Sequence, residues 1–278
     1  MAEYSHQYLS SFAGLLLACS TILWPATGLS HEYWLDPVQY HIAANDQLSV
    51  NIRNGQNFKG TALIYDAGKF ERHYVIDSNG KTNIKSRIGD YPALQHNVTH
   101  PGLSLVLLDT RENTLVYPTL ERFHAFLEYH ALESIKEQHA QRGFPIEGIR
   151  ENYFRFTKAL IEVEQSSQNP NPQLLQPQQQ ALEIVALENP YRAGDKLNIQ
   201  ILHNSQPLGN RQVETFRQAL DTKRSITTTD DNGYAEIDIS EAGKYLLNVV
   251  YVVDSTQEES HWKSLWASMT FLIKNSDN

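Results

Sequence analysis

The polar and hydrophobic positions of residues 32–118 follow a strand-like pattern. Short runs at residues 48–52, 62–65, 73–76 and 103–108 either alternate between polar and apolar residues or are continuously apolar. Turn pairs such as Asn54-Gly55 and Asn79-Gly80 separate the runs. A period of two places successive side chains on opposite faces of a strand. The pattern predicts a β-sandwich domain over residues 31–118.

The period changes to a helical one after Thr119. Apolar residues then recur at every third or fourth position, first up to about Gln141 and again over residues 147–164. The apolar positions are Leu120, Phe123, Leu127, Ala131 and Ile135 in the first stretch, and Ile149, Tyr153, Phe156, Leu160 and Val163 in the second. This spacing is typical of amphipathic helices and predicts a helical hairpin over residues 119–165.

A Pro- and Gln-rich stretch, residues 166–180, follows the helical region and predicts a linker that cannot bury a core. Seven strand-like runs then occur within residues 181–278, with turn sequences such as Asp231-Asn232-Gly233 between them. This number and spacing of strands are typical of an immunoglobulin-like domain. The pattern as a whole predicts a mainly β protein, in which two β-sandwich (immunoglobulin-like) domains flank an inserted helical hairpin.

Residues 1–30 have the features of a secretory signal peptide. An apolar stretch of about fifteen residues, 12–26, precedes the small residues Thr27, Gly28 and Ser30. A transmembrane helix needs about 20 apolar residues, and no later stretch reaches that length. We therefore expect a periplasmic chain without membrane insertion. Cleavage after Ser30 would make His31 the first residue, and cleavage after Gly28 is the alternative.

The segment Leu16-Leu17-Ala18-Cys19 also resembles a lipoprotein cleavage box, in which Cys19 would be acylated. The apolar run continues past Cys19 to Trp24, whereas the cysteine of a lipoprotein normally ends it. The sequence therefore favours a signal peptide over a lipid anchor.

Composition narrows the classes of function. The chain has 278 residues, of which 41% are hydrophobic, and this amount of apolar sequence predicts a folded core. A formal net charge of -9 argues against a nucleic acid as partner, because phosphates would be repelled. Cys19 is the lone cysteine, which excludes an intrachain disulfide. The sequence also lacks a GxSxG motif, a phosphate-binding loop and a dinucleotide fingerprint, so we expect no enzymatic activity.

The candidate chemistry is metal binding at the predicted new N-terminus. A free α-amine and the imidazole of His31 can chelate one ion together, and such nitrogen ligands suit Ni(II), Co(II) and Cu(II). Glu32 and His124 are the candidates for further ligands. The other histidines form no compact motif, since HExxH and HxH are both absent. We expect the cofactor to be a nickel, cobalt or copper ion. The alternative is that the protein has no cofactor.

Several stretches in chain order carry a resemblance to a known family. They are residues 31–37 (HEYWLDP), 55–60 (GQNFKG), 89–93 (GDYPA), 123–132, 150–160 (RENYFRFTKAL), 182–191 and 262–271 (WKSLWASMTF). Through them the mature chain resembles a bacterial periplasmic domain-of-unknown-function family whose members were formerly described as nickel-uptake (NikM-like) or cobalt-transport periplasmic components. The resemblance implies a role in metal uptake, with a membrane metal-transport component as partner.

Two functional hypotheses follow, with a third of lower rank. In the first, the protein is a non-catalytic periplasmic accessory that binds or delivers cobalt or nickel. In the second, it is a metal-free periplasmic scaffold or interaction module whose histidines are incidental. The third is a copper oxidase-type enzyme, which would need a second histidine beside His31 to complete an N-terminal histidine brace.

Overall fold

The structure is a computed structural model that describes residues 31–164 and 172–275. The predicted signal peptide, Cys19 and the first part of the predicted linker, residues 166–171, lie outside the described residues. Strands from both halves of the sequence form three sheets, and two short helices interrupt them. The prediction of a mainly β protein of the sandwich class is confirmed.

The strands and helices have the following bounds. In the N-terminal half they are β1 (Glu32–Pro37), β2 (His41–Ile42), β3 (Gln47–Gln56), β4 (Lys59–Leu63), β5 (Phe70–Asp77), β6 (Gly80–Asn83), β7 (Leu94–Asn97), β8 (Gly102–Thr110), β9 (Asn113–Thr119), α1 (Leu120–Tyr129), α2 (Ser134–Gln141) and β10 (Glu147–Val163). In the C-terminal half they are β11 (Leu182–Ala186), β12 (Lys196–His203), β13 (Gln206–Pro207), β14 (Gln212–Gln218), β15 (Thr222–Thr228), β16 (Tyr234–Asp238), β17 (Gly243–Asp254) and β18 (Trp262–Ile273).

A central sheet contains strands from both halves of the chain. Its order is β15-β14-β17-β18-β10-β8-β5-β6, and β2 and β9 also pair with β10. β10 is parallel to β18 and antiparallel to β8, so it joins the two halves in one hydrogen-bonded sheet. The two outer sheets are smaller: β3 pairs with β1, β4 and β7 in the first, and β12 pairs with β11, β13 and β16 in the other.

The outer sheets cover opposite faces of the central sheet. Along β8, Leu105 and Leu107 pack with the sheet around β12, whereas Val106 and Leu108 pack with the sheet around β3. The alternation follows from the pleat of the strand. The helices lie on the same face as the sheet around β3, where they cover Trp262 and Trp266 of β18. The middle strands of the central sheet, such as β8, β10 and β18, are therefore buried on both faces.

The first predicted helical stretch forms two short helices, α1 and α2. Thr119 caps α1 by accepting a hydrogen bond from the backbone N–H of Arg122, as a threonine at this position commonly does. Ala131, with a φ of 53°, lies in the turn that separates α1 from α2. Among the described residues no helix has the length and apolar content needed to cross a membrane.

The second predicted helix, over residues 147–164, is wrong: these residues form the strand β10. All residues from 155 to 163 are buried, so β10 shows no alternation between polar and apolar positions. A strand that is covered on both faces lacks the period of two by which strands are recognised, and it can mimic a helical pattern. The predicted hairpin therefore consists of α1 and α2 alone, followed by the longest strand of the described chain.

A buried ion pair fastens the end of the predicted linker to the central sheet. Lys158 Nζ on β10 donates to Glu183 Oε1 at 2.5 Å, and both side chains are almost completely buried. The carboxylate of Glu183 also accepts from the backbone N–H groups of Gln178 and Gln180. Gln180 in turn donates to Asp109 at 2.6 Å. Residues 178–180 are thus part of the packed structure, and the central sheet continues across the predicted domain boundary.

Candidate functional site

The strand β1 begins at the predicted metal ligand Glu32, directly after His31, and is held from both sides. One edge pairs with β3, with Glu32 opposite Gly55. Backbone carbonyl groups of the same segment accept hydrogen bonds from side chains of β18 and β10. Ser268 Oγ donates to Tyr33 O at 2.8 Å and Thr270 Oγ1 to Leu35 O at 2.7 Å. The predicted N-terminal segment thus has a fixed position on the central sheet.

His31, directly before β1, is half-buried and lies beside an open pocket of about 440 Å³. The pocket is lined by Asn54, Gly55, Gln56, Lys59, Gly60, Thr61 and Leu63. Arg155 Nη1 donates to the carbonyl oxygen of His31 at 2.5 Å. The Nδ1 atom of His31 is buried and has no hydrogen-bond partner within the described chain. This nitrogen is the one that can close a six-membered chelate ring with the α-amine of the same residue.

Glu32 belongs to a different environment from His31. Its side chain is only 2% exposed, and its Oε2 atom has no hydrogen-bond partner among the described residues. Burial, together with the negative charge of Glu214, raises the pKa of Glu32 to about 7. The carboxyl group therefore titrates near neutral pH, inside the protein.

Glu214 on β14 is the centre of this buried polar cluster. It accepts hydrogen bonds from Arg224 Nη2 at 2.6 Å and Asn248 Nδ2 at 2.7 Å. His130 Nδ1, at the end of α1, is 3.2 Å from its carboxylate. Burial acts to raise the pKa of Glu214, but His130, Arg224 and Asn248 outweigh it and lower the pKa below its ordinary value. The sequence pattern did not single out His130 or Glu214, because 84 residues separate them.

His124, the third predicted ligand, lies on α1 and does not line the His31 pocket. Burial lowers its pKa, with a further contribution from the nearby charges of Lys136 and His139. His124 is therefore surrounded by charged residues of α1 and α2. Across residues 31–164 and 172–275, no three His, Cys, Asp or Glu side chains form a group that could hold a metal ion. The structure does not bring His31, Glu32 and His124 together.

A second cleft, of about 510 Å³, lies where β2 and β10 meet the loop after β11. His41 Nδ1 is 3.0 Å from Glu162 Oε2, and Arg192 Nη2 is 2.5 Å from the other carboxylate oxygen. Burial acts to raise the pKa of Glu162, but these two partners outweigh it and lower the pKa. This His–Glu–Arg cluster escaped the sequence analysis because 121 residues separate His41 from Glu162.

The fold and the site thus define a layered, mainly β protein with a fixed N-terminal strand and two polar clefts. A model of the domain-of-unknown-function family DUF4198 matches residues 29–253. The chain belongs to this family, as its sequence motifs predicted at the level of a family of unknown function.

Other comparisons add little to this assignment. No curated protein sequence matches the chain significantly. Among solved structures, the chain is similar to the D0-D1 domain of intimin, at 13% sequence identity and a TM-score of 0.21. The match covers 86% of this chain and 97% of the intimin chain.

Proposed function

We propose that this protein is a non-catalytic periplasmic protein that binds a transition-metal ion at His31, after removal of residues 1–30. The ion would be nickel, cobalt or copper, held by the α-amine and Nδ1 of His31. The observation that carries the proposal is the buried Nδ1 atom, which lacks a hydrogen-bond partner in the described chain and belongs to a residue beside an open pocket. A buried nitrogen without a partner is costly, and a bound ion would compensate that cost.

The anchoring of the segment supports this role. Arg155 holds the carbonyl group of His31, and Ser268 and Thr270 hold the next carbonyl groups along β1. A chelating residue whose backbone is fixed in this way loses less conformational entropy on binding. Imidazole and amine nitrogens are ligands that suit nickel, cobalt and copper.

The small number of protein ligands favours delivery over storage. The described lining of the His31 pocket contains no second histidine and no carboxylate. Two nitrogens would leave the remaining coordination positions to water or to ligands of a partner, which makes transfer of the ion easy. We propose a membrane metal-transport component as that partner. A copper enzyme with a histidine brace is less favoured, because a brace needs a second histidine at this pocket.

Calorimetric titration of Ni(II), Co(II) and Cu(II) tests the proposal. One form of the protein begins at His31, as verified by N-terminal sequencing, and the other carries an additional alanine before His31. The extra residue displaces the free amine but keeps the imidazole. We expect tight binding to the first form and binding at least about tenfold weaker to the second, a loss of about 1.4 kcal/mol.

A His203→Gln variant of the first form is the matched control. His203 is a half-buried histidine at the end of β12, packed against the ring of Tyr251. We expect its loss to leave metal affinity unchanged. Equal affinity of the two N-terminal forms would assign binding to other histidines. Absence of binding by both forms would contradict the proposal and favour the metal-free scaffold.

A further inference from the structure

A small pocket of about 260 Å³ lies between the sheet around β3 and one end of the central sheet. Its charged lining comes from four strands: Asp36 on β1, Arg53 on β3, Lys59 on β4 and Lys244 on β17. The pocket thus joins residues that are as far apart in sequence as Asp36 and Lys244, and no motif in the sequence indicated it.

Positive charge is in excess in this pocket. Asp36, 6% exposed, is the one acidic residue of its described lining. Both of its oxygens are occupied, Oδ2 by Arg53 Nε at 2.5 Å and Oδ1 by Lys244 Nζ at 2.6 Å. Lys59 has no carboxylate partner among the described residues. Three cations and one carboxylate leave a surplus of two positive charges in a small volume.

Hydrogen-bond donors of the same pocket also lack acceptors. Arg53 uses Nε for Asp36 and Nη1 for the carbonyl oxygen of Gly60 at 3.0 Å, which leaves Nη2 without an acceptor in the described chain. Trp34, 1% exposed, lines the pocket as well, and its indole N–H is buried without an acceptor. An unpaired buried donor costs about 1–3 kcal/mol. An anion in the pocket would supply the missing acceptors.

Aromatic rings hold the lysine side chain and reduce its access to water. The ammonium group of Lys244 lies 5.9 Å from the ring centre of Phe58 and 5.7 Å from that of Tyr40. Phe58 packs edge-on against Trp34 at 5.3 Å. Charges next to such apolar surroundings interact more strongly with a ligand than charges in bulk water.

We propose that this pocket binds a small doubly charged oxyanion, either a dicarboxylate or a phosphate. The surplus of two positive charges matches such a dianion, and the size of the pocket restricts the ligand to a compact molecule. The protein as a whole carries a net charge of -9, so the attraction is local and does not extend to polyanions. The site adjoins the His31 pocket, since Lys59 and Gly60 line both, but the proposed anion ligands do not include His31.

Calorimetry with succinate and with inorganic phosphate tests the site, and neutral succinamide serves as the uncharged control. The titrations use the form with the extra alanine before His31, dialysed free of metal, so that the result does not depend on the proposed metal site. We expect at least one of the two anions to bind with a Kd below about 1 mM. Raising the salt concentration to about 0.3 M should weaken binding, because it screens the charges.

The decisive variants are Lys59→Gln and Lys244→Gln, with Lys263→Gln as the matched control. Lys59 is exposed and has no carboxylate partner within the described part of the chain, so its replacement leaves the fold intact. Lys263 also lies over an aromatic ring, that of Phe154 at 4.8 Å. It pairs with Val253, near the other end of β17 from Lys244. We expect about fivefold weaker binding in each of the first two variants and unchanged binding in the control.

Preference for succinate or for phosphate would assign the class of anion. Equal affinity of Lys59→Gln, Lys244→Gln and the parent protein would overturn the proposal. Absence of binding of both anions up to about 10 mM, with the circular dichroism spectrum of a folded protein, would overturn it too.

Discussion

Glu32 follows the proposed metal-binding residue directly in the chain, yet its carboxyl group lies in a buried cluster with Glu214. Its acid–base behaviour is set by tertiary contacts that the neighbouring sequence does not reveal. In the folded protein burial is the largest cause of its raised pKa, about 7 compared with the ordinary value of 4.5, and the charge of Glu214 adds to it. The folded and the unfolded protein therefore bind different numbers of protons between pH 4.5 and 7.

The raised pKa predicts the direction of a pH effect on stability. Between pH 4.5 and 7 the folded state binds more protons than the unfolded state, so the contribution of Glu32 falls as pH rises through this range. Glu32→Gln keeps the shape of the side chain and removes the titration. We expect this variant to exceed the parent protein by about 3 kcal/mol in free energy of unfolding at pH 8, and to equal it near pH 4.5.

Urea denaturation at a series of pH values measures this difference. Glu259→Gln, at an exposed position between β17 and β18, is the control, and we expect it to differ from the parent protein by less than about 0.5 kcal/mol at each pH. A Glu32→Gln variant that is less stable than the parent protein at pH 8 would contradict the burial of a charged carboxylate at this position.

At the scale of elements, β1 depends on β18 as well as on its sheet partner β3. Two hydroxyl groups of β18 donate to backbone carbonyl groups of β1, 235 residues away in sequence. Buried carbonyl groups that lose their donors are costly, so these contacts fasten the N-terminal strand to the central sheet. The position of the proposed metal site thus depends on the C-terminal strand.

Replacement of Thr270 by valine tests this anchoring. The side chains have the same shape, but valine cannot donate to the carbonyl oxygen of Leu35, which now receives that bond at 2.7 Å. We expect a loss of about 1–2 kcal/mol in free energy of unfolding and faster hydrogen exchange at the amides of β1. Thr228→Val at an exposed position of β15 is the control. Equal effects of the two substitutions would show that the hydroxyl of Thr270 does not anchor β1.

At the scale of the molecule, β10 decides how the two halves of the chain are joined. Residues 151–159 of β10 pair with residues 262–270 of β18, and residues 160–163 pair with β8. The buried pair Lys158–Glu183 adds a polar link from β10 to β11. Strands from the N-terminal and C-terminal halves therefore pack in a shared core. Neither half contains all the strands of the central sheet.

This arrangement predicts cooperative unfolding. We expect denaturant curves followed by tryptophan fluorescence and by far-UV circular dichroism to coincide in a single transition. A fragment of residues 31–165 exposes the edge of β10 that β18 covers in the full chain, and we expect it to lack a cooperative transition. The denaturant curve of a fragment of residues 181–278 is measured in the same way. Two separate transitions in the full chain would support two independent domains at the predicted boundary.

Elements with one buried and one exposed face could be predicted from the residue pattern alone. Strands such as β3 and β16 alternate between buried and less buried positions, and α1 carries an apolar stripe behind a threonine cap. In these elements the local pattern of residues directly reflects the contact with solvent. The sequence motifs were also sufficient to predict membership of a family of unknown function.

The strand β10 and the residues of the polar sites, in contrast, became evident only from the packing of the folded chain. Layers cover β10 on both faces, so the period that distinguishes a strand from a helix is absent from its sequence. The pairs His130–Glu214, His41–Glu162 and Lys244–Asp36 join residues that are 84 to 208 positions apart. Local sequence reports local periodicity and turn chemistry, whereas such contacts arise from the order in which the strands pair.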